Sequence, residues 1–368
     1  MLPPAISKSV ASDVSRSATV LKASRSRFAA VGPSECSSAL RRSGIAAAGL
    51  RHSRAPWIVE HSVLRLETRN HLPSRPMSMI KTPRTQSEST VPVPPREHGK
   101  FPARLHVLIA RDAKTAVVIR RGPSKSVCTV LWDRNRNSFK LGQWMRGRIY
   151  ERRCDVSPDG RHFIYFAMNG RWQFETKGSW TAISRAPYLK AVSLFAKGDC
   201  WHGGGLFVSN REFWLNDGYG HKQLKSTPSV RRKLDAQPDD SYGGECLTVY
   251  YNRLQRDGWT MRDKEYQGAT LFEKKLPKGW LLRKLAFAEI GAPPGRGCYW
   301  DAHELRHDST GVILAYPEWE WADLVDGRLI FAAEGKLCEA RLGRGNLLGE
   351  KLLHDFNDMK FTAIAAPY

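Results

Sequence analysis

The chain has 368 residues, with 58 Lys and Arg against 36 Asp and Glu, a formal net charge of +22. Hydrophobic residues make up 41% and charged residues 26%, and no apolar run approaches the ~18 residues that a membrane-spanning helix needs. This balance excludes a helical membrane protein and a chain disordered throughout, and the length suits two or three domains, or one large all-β domain, at roughly 150 residues each.

Residues 1–100 hold 16 Lys and Arg against 6 Asp and Glu, with a single Trp (Trp57) and a single Phe (Phe28) among many Ser, Ala and Pro. Too little apolar surface is available there to offset chain entropy, so the segment is expected to be disordered and residues 101–368 to form the folded domain. Three origins fit it. Arg16, Arg25, Arg27, Arg41 and Arg42 among Ser and Ala, with only Asp13 and Glu35 nearby, suit an organelle transit peptide. A flexible basic arm would bind nucleic acid, with steep salt dependence and loss on removal of residues 1–76. An over-extended start is the third, with Met77 or Met79 as the true first residue and Val91–Pro95 as a linker. No apolar core of a secretory signal follows the first charges, and a cytoplasmic location is expected.

From Leu105 short runs rich in Val, Ile, Phe, Tyr and Trp alternate with turn residues. Leu105–Ala110, Ala116–Ile119, Val127–Trp132, Phe163–Phe166, Leu206–Val208 and Leu247–Tyr251 are each too short for an ordinary helix and are predicted as strands. Asp159-Gly160, Asn216-Asp217-Gly218, Asp257-Gly258, Thr310-Gly311 and Asp326-Gly327 supply the hairpin punctuation. Only Val230–Ala236 and Leu281–Ala288 suggest short helices. About twenty short strands and an all-β fold are expected.

Cys154, Cys200, Cys246 and Cys298 recur at intervals of 46, 46 and 52 residues, with Cys338 a further 40 on, and most are followed by strand, turn and strand. Four strands in 40–50 residues is the period of a propeller blade, so residues 101–368 are expected to make a β-propeller of five or six four-stranded blades. A β-sandwich or a two-domain β arrangement is the alternative. Asp155-Val-Ser-Pro-Asp-Gly-Arg161 followed by Phe163-Ile-Tyr-Phe-Ala167 resembles the repeat of Tol-type and WD-repeat-like propellers, with a weaker copy at Asp326-Gly-Arg328 and Leu329–Ala333. The resemblance implies architecture only, since propellers host many activities.

His303-Glu304-Leu-Arg-His307 satisfies H-E-x-x-H. On a helix the two imidazoles would chelate one zinc ion while Glu304 activated its water, with Glu318, Glu320 or Glu334 as the third ligand of a metalloprotease-like hydrolase. On a strand His303 and His307 stand about 13 Å apart at ~3.3 Å per residue, beyond one metal. The strand is expected, because the flanking Pro-Pro-Gly and Asp-Ser-Thr-Gly leave little room for a helix and the repeat aligns the segment with Leu247–Tyr251. None of the seven cysteines forms a C-x-x-C pair, so buried reduced thiols are expected. Gly203-Gly-Gly205 lacks the Lys and Ser or Thr of a phosphate loop, and no G-x-S-x-G elbow is present. Glu318-Trp-Glu-Trp321, read as a strand, puts both Trp on one face and both Glu on the other. Arg120-Arg121, Arg152-Arg153 and Arg231-Arg-Lys233 are scattered and are expected on solvated surface.

The function expected is a binding module without intrinsic catalysis, taking a protein or small-molecule ligand on a blade face formed by the loops Ser157–Arg161, Asn252–Gly258 and Asp308–Gly311. Zinc hydrolysis at His303, Glu304 and His307 is the alternative. Nucleic acid enters only through the basic N-terminal arm.

Overall fold

The computed structural model describes residues 101–368 apart from 123–124, 219, 244–245 and 289–296. The expectations placed on residues 1–100 lie outside the described residues. The short β-branched and aromatic runs form strands, which group into five sheets. Sheet I is an antiparallel meander of β1 (Arg104–Ile109), β2 (Thr115–Arg121), β3 (Ser126–Asp133) and β4 (Ser138–Arg146). Next come β5 (Arg148–Ile149), a 3-10 turn (Glu151–Arg153), β6 (Asp155–Val156), β7 (His162–Met168), β8 (Ser179–Arg185), β9 (Ala191–Ala196), β10 (Gly205–Phe207), β11 (Glu212–Leu215), β12 (Lys222–Lys225) and β13 (Arg231–Arg232). Sheet II runs β12-β9-β8-β7-β5 with β6 also on β7; sheet III is β10-β11-β13, its last pairing parallel. After α1 (Leu247–Arg256), sheet IV contains β14 (Thr260–Tyr266), β15 (Ala269–Lys275), β16 (Trp280–Ala288), β17 (Tyr299–His307) and β18 (Ile313–Tyr316) in order. Sheet V contains β19 (Trp321–Val325), β20 (Arg328–Ala333), β21 (Lys336–Leu342) and β22 (Leu347–Asp355).

The all-β class is therefore as expected, but only sheets I and V are four-stranded meanders. Three local readings are corrected. Leu247–Tyr251 is the first half of α1, because the buried set Tyr250, Tyr251 and Leu254, with Leu247 packed beside them, follows the helical spacing i, i+3, i+4, i+7. Leu281–Ala288 belongs to β16, whose two neighbouring strands and buried faces remove the alternation that marks a half-exposed strand. Val230–Ala236 contains only the short β13. Cys154, Cys200 and Cys246 do fall just before β6, β10 and α1, but the element that follows changes from strand to helix.

Successive sheets pack face to face. In β1 and β2, Leu105, Val107, Ala116 and Val118 point to sheet V, where they meet Trp321, Ile330 and Leu337. Their neighbours Leu108, Val117 and Ile119 point to sheet II and meet Phe163 and Tyr165. Burial on both faces explains why these strands read as unbroken apolar runs. Ile164, Ile183 and Phe195 of sheet II meet Phe207 and Phe213 of sheet III. Phe272, Leu282 and Leu305 of sheet IV pack with Tyr250, Tyr251 and Leu254 of α1 and with Phe331 and Ala340 of sheet V. The two Trp of Glu318–Trp321 part company, because β19 begins only at Trp321: Trp319 stacks on Tyr316 and Phe331, while Trp321 faces sheet I.

The turn at Ser157–Arg161 has the chemistry its sequence promised. Ser157 Oγ donates to Asp159 Oδ1 at 2.6 Å and accepts from His162 N, and Gly160 sits at φ 72° against Thr115. Gly203–Gly205 serves close packing: a Cβ at these positions would strike Phe166, the Arg153 carbonyl and the Trp214 carbonyl in turn.

Candidate functional site in a central polar cavity

Turns at one end of the inner strands are tied together. Lys114 and Arg134 of the sheet I turns bind Asp326 of the β19–β20 turn at 2.6 and 3.1 Å. Asp112 N donates to Pro158 O, and Asp159 N to Asn210 Oδ1 before β11. Arg256, at the end of α1, makes a two-pronged ion pair with Asp155 of β6. Asp155 also lines a cavity of about 150 Å³, roughly ten times what one water requires.

Its walls come from six elements, β6 among them through Asp155, and from the turns between them. β1 supplies His106, α1 supplies Tyr250 and Arg253, the residue before β14 is Trp259, sheet IV supplies Lys274 and Lys284, and β19 supplies Asp323. Exposed Arg111 stands at the mouth with Asp257. Lys274 Nζ contacts Asp323 at 2.5 Å, and Trp259 Nε1 donates to the same carboxylate at 3.3 Å. The Lys274 and Lys284 ammonium groups lie 5.0 and 4.8 Å from the Trp259 ring centre.

His106 on the cavity wall and His303 beside Lys284 are kept neutral by burial first and by a bonded cation second. Arg253 donates to His106 Nε2 at 2.8 Å and otherwise to the carbonyls of Glu151 and Cys154. Burial, then Arg253, keeps the His106 imidazole well below its usual range. His303 donates from Nδ1 to the Trp319 carbonyl at 2.7 Å, which leaves Nε2 to accept from Lys284 Nζ at 2.8 Å. Burial, then Lys284, lowers His303 to about 3, while burial lowers Lys284 itself to about 8 against the pull of Asp301. The carboxylate of Asp301 lies 3.9 Å from Lys284 but bonds Arg152 at 2.6 Å and receives the Tyr250 hydroxyl. Burial alone would raise the Asp301 carboxyl; Arg152 and then Lys284 hold it well below the ordinary range.

Of the sequence-derived zinc residues, only His303 belongs to this group. Tyr299–His307 is the strand β17, as the turn context indicated. His303 and His307 share its inner face, about 13 Å apart at ~3.3 Å per residue, and Glu304 points to the opposite face, bonded to Arg283 at 2.6 Å. His307 Nε2 instead donates to the Lys278 carbonyl. Glu318 and Glu334 are exposed. Glu320 accepts from Leu105 N and from Arg104, and burial lifts it to about 7 against the opposing Arg104 charge. The geometry thus separates the residues a zinc hydrolase would need together, and no group of three metal-binding side chains is assembled among the described residues.

Of the three expected recognition loops, Asn252–Gly258 contributes Arg253, Leu254 and Asp257 to the cavity, whereas Ser157–Arg161 supplies none of its lining and is tied to Asn210. Asp308–Gly311 instead closes the β17–β18 hairpin beside Gly279. Sequence reasoning gave no role to Lys284 or Asp301, held Arg253 only as part of the recognition loop Asn252–Gly258, and set Arg152 on the surface. The one available signal was the pair Arg152-Arg153, which was expected on the surface but is buried, as is Arg120. Compared with known proteins, the chain matches no family model and no curated sequence. Among the described residues no helix is long and apolar enough to cross a membrane.

Proposed function

We propose that this chain is a propeller-like binding module, its face-to-face sheets arranged as blades, and that its ligand is a small organic anion held in the central cavity. One observation carries this reading: two buried cations beside an open volume, Arg253 and Lys284, donate to neutral imidazoles and carbonyls instead of to a carboxylate within bonding distance. The nearest carboxylate to Lys284 is already shared with Arg152. Buried cations without a dedicated counterion favour an anion entering from solvent. Lys274 is satisfied by Asp323, so it shapes the wall and does not demand charge.

The test is thermal denaturation of the full chain against a panel of small mono- and dicarboxylates and inorganic phosphate. A ligand at a hundred times its Kd stabilises the fold by about 2.7 kcal/mol, a clear rise in Tm. A rise for particular anions that disappears in Lys284→Met supports the reading. Equal, salt-like responses to every anion overturn it.

A further inference from the structure

We infer that Lys284 is a covalent anchor: its amine condenses with the carbonyl of a small 2-oxo carboxylate to form an imine inside the central cavity. This rests on the anion-binding reading above and adds the ligand's chemical class. A lysine that only neutralised a carboxylate would sit against it, as Lys274 does on Asp323 at 2.5 Å. Lys284 Nζ instead touches His303 Nε2 at 2.8 Å, keeps 3.9 Å from Asp301 and lies against the face of Trp259. It lines an open cavity although its own residue is 1% exposed. Burial therefore favours the uncharged amine, the nucleophilic form.

The step balances without any further reactant. The Lys284 proton is relayed transiently through the Nε2 lone pair of His303, which is aimed at it because Nδ1–H is fixed on the Trp319 carbonyl, and loss of the Lys284 charge removes one of the two causes that keep this imidazole neutral. The free amine adds to the ligand's carbonyl carbon: a C–N bond forms, the C=O π bond opens, and one amine proton moves to the new alkoxide to give a carbinolamine. His303 returns its proton to the hydroxyl, which leaves as water as the C=N bond forms, so a protonated imine and one water replace an ammonium and a ketone. The ligand's carboxylate has donors on the facing wall. Arg253 lines it, and Nδ1–H of His106 meets no protein acceptor among the described residues. Tyr250, whose hydroxyl is committed to Asp301, keeps that carboxylate from drawing the amine into a fixed ion pair.

The experiment incubates the full chain with pyruvate as probe, reduces with cyanoborohydride and maps the modified lysines by peptide mass. The expected result is one reduced adduct on Lys284, enriched at least about tenfold over any surface lysine, since each pKa unit of depression multiplies the free amine about tenfold. His303→Gln should slow its formation, by about a hundredfold for a lost proton relay, while pyruvate still raises Tm. Mapping on the unmodified chain needs no variant to fold. If pyruvate raises Tm but label spreads over surface lysines or appears nowhere, the imine is wrong and the anion site survives. If neither pyruvate nor any other anion raises Tm and Lys284 takes no label, both proposals fall.

Discussion

The two faces of sheet IV carry similar numbers of charges and treat them in opposite ways. On the outer face Arg283 lies between Glu273 and Glu304 at 3.2 and 2.6 Å, Arg262 adds a second contact to Glu273, and Tyr266 caps the group. Both arginines of this cluster have a carboxylate within bonding distance. On the inner face, one residue along each strand, Lys284 meets a neutral imidazole and a tryptophan ring, and Asp301 is divided among Arg152, Tyr250 and Lys284. Charges that only stabilise a fold settle into direct pairs, because desolvation is otherwise uncompensated. Lys284 alone among these inner-face cations forgoes that close pairing, since Lys274 takes Asp323, and a buried lysine left so beside a cavity is arranged for something that arrives later. The difference separates a structural cluster from a candidate site more sharply than burial does, since both faces hold buried charge.

The strongest way to break the comparison is Asp301→Asn. Removing the one carboxylate that Arg152, Tyr250 and Lys284 share leaves buried cations uncompensated, and chemical denaturation should show a loss of about 3–5 kcal/mol. Acid titration of stability comes next. The unfolded chain protonates His303 near pH 6.5, whereas the folded chain keeps it neutral down to about 3. Its contribution is complete above pH 6.5 and is lost as pH falls toward 3, at about 1.4 kcal/mol per pH unit. His106, lowered in the same direction, adds to the slope. His303→Gln should flatten the curve, and an unchanged slope would show that His303 is charged in the fold.

On the outer face the effects shrink. Glu304→Gln leaves Arg283 with Glu273 and Tyr266, so the expected loss is about 1–2 kcal/mol, with no change in any ligand-induced rise in Tm. Half-exposed Arg262→Ala should cost under about 1 kcal/mol and vanish at high salt. A large effect of either on ligand response would erase the distinction between the faces.

The H-E-x-x-H segment shows how far a motif can be read without its fold. Strand alternation was enough to separate His303 from Glu304 and to set His303 and His307 too far apart for one metal, once the Pro-Gly and Ser-Thr-Gly flanks argued against a helix. What alternation left open was which face would be inward and what it would meet there. Lys284 and Asp301, 17 residues apart in sequence, come together only because β16 and β17 pair in the register that sets Lys284 beside His303 and Ala286 beside Asp301. Tyr250 and Arg253 were hidden by a shorter-range error. Read over five residues, Leu247–Tyr251 is β-branched and aromatic; read over eight, its spacing is helical.

By itself the sequence determined the strand-and-turn texture from Leu105 onward, the all-β class, the Ser157–Arg161 turn and the extended conformation of residues 299–307. These rest on interactions within a few residues: side-chain branching, turn hydrogen bonding and the tolerance of glycine for positive φ. Only the tertiary structure decided that Arg120, Arg152 and Arg153 are interior, that α1 occupies the place expected of a strand, and that Lys284 lines an open volume beside a neutral histidine. Those outcomes depend on which sheet covers which face, and side-chain period carries no information about the neighbour a face will find.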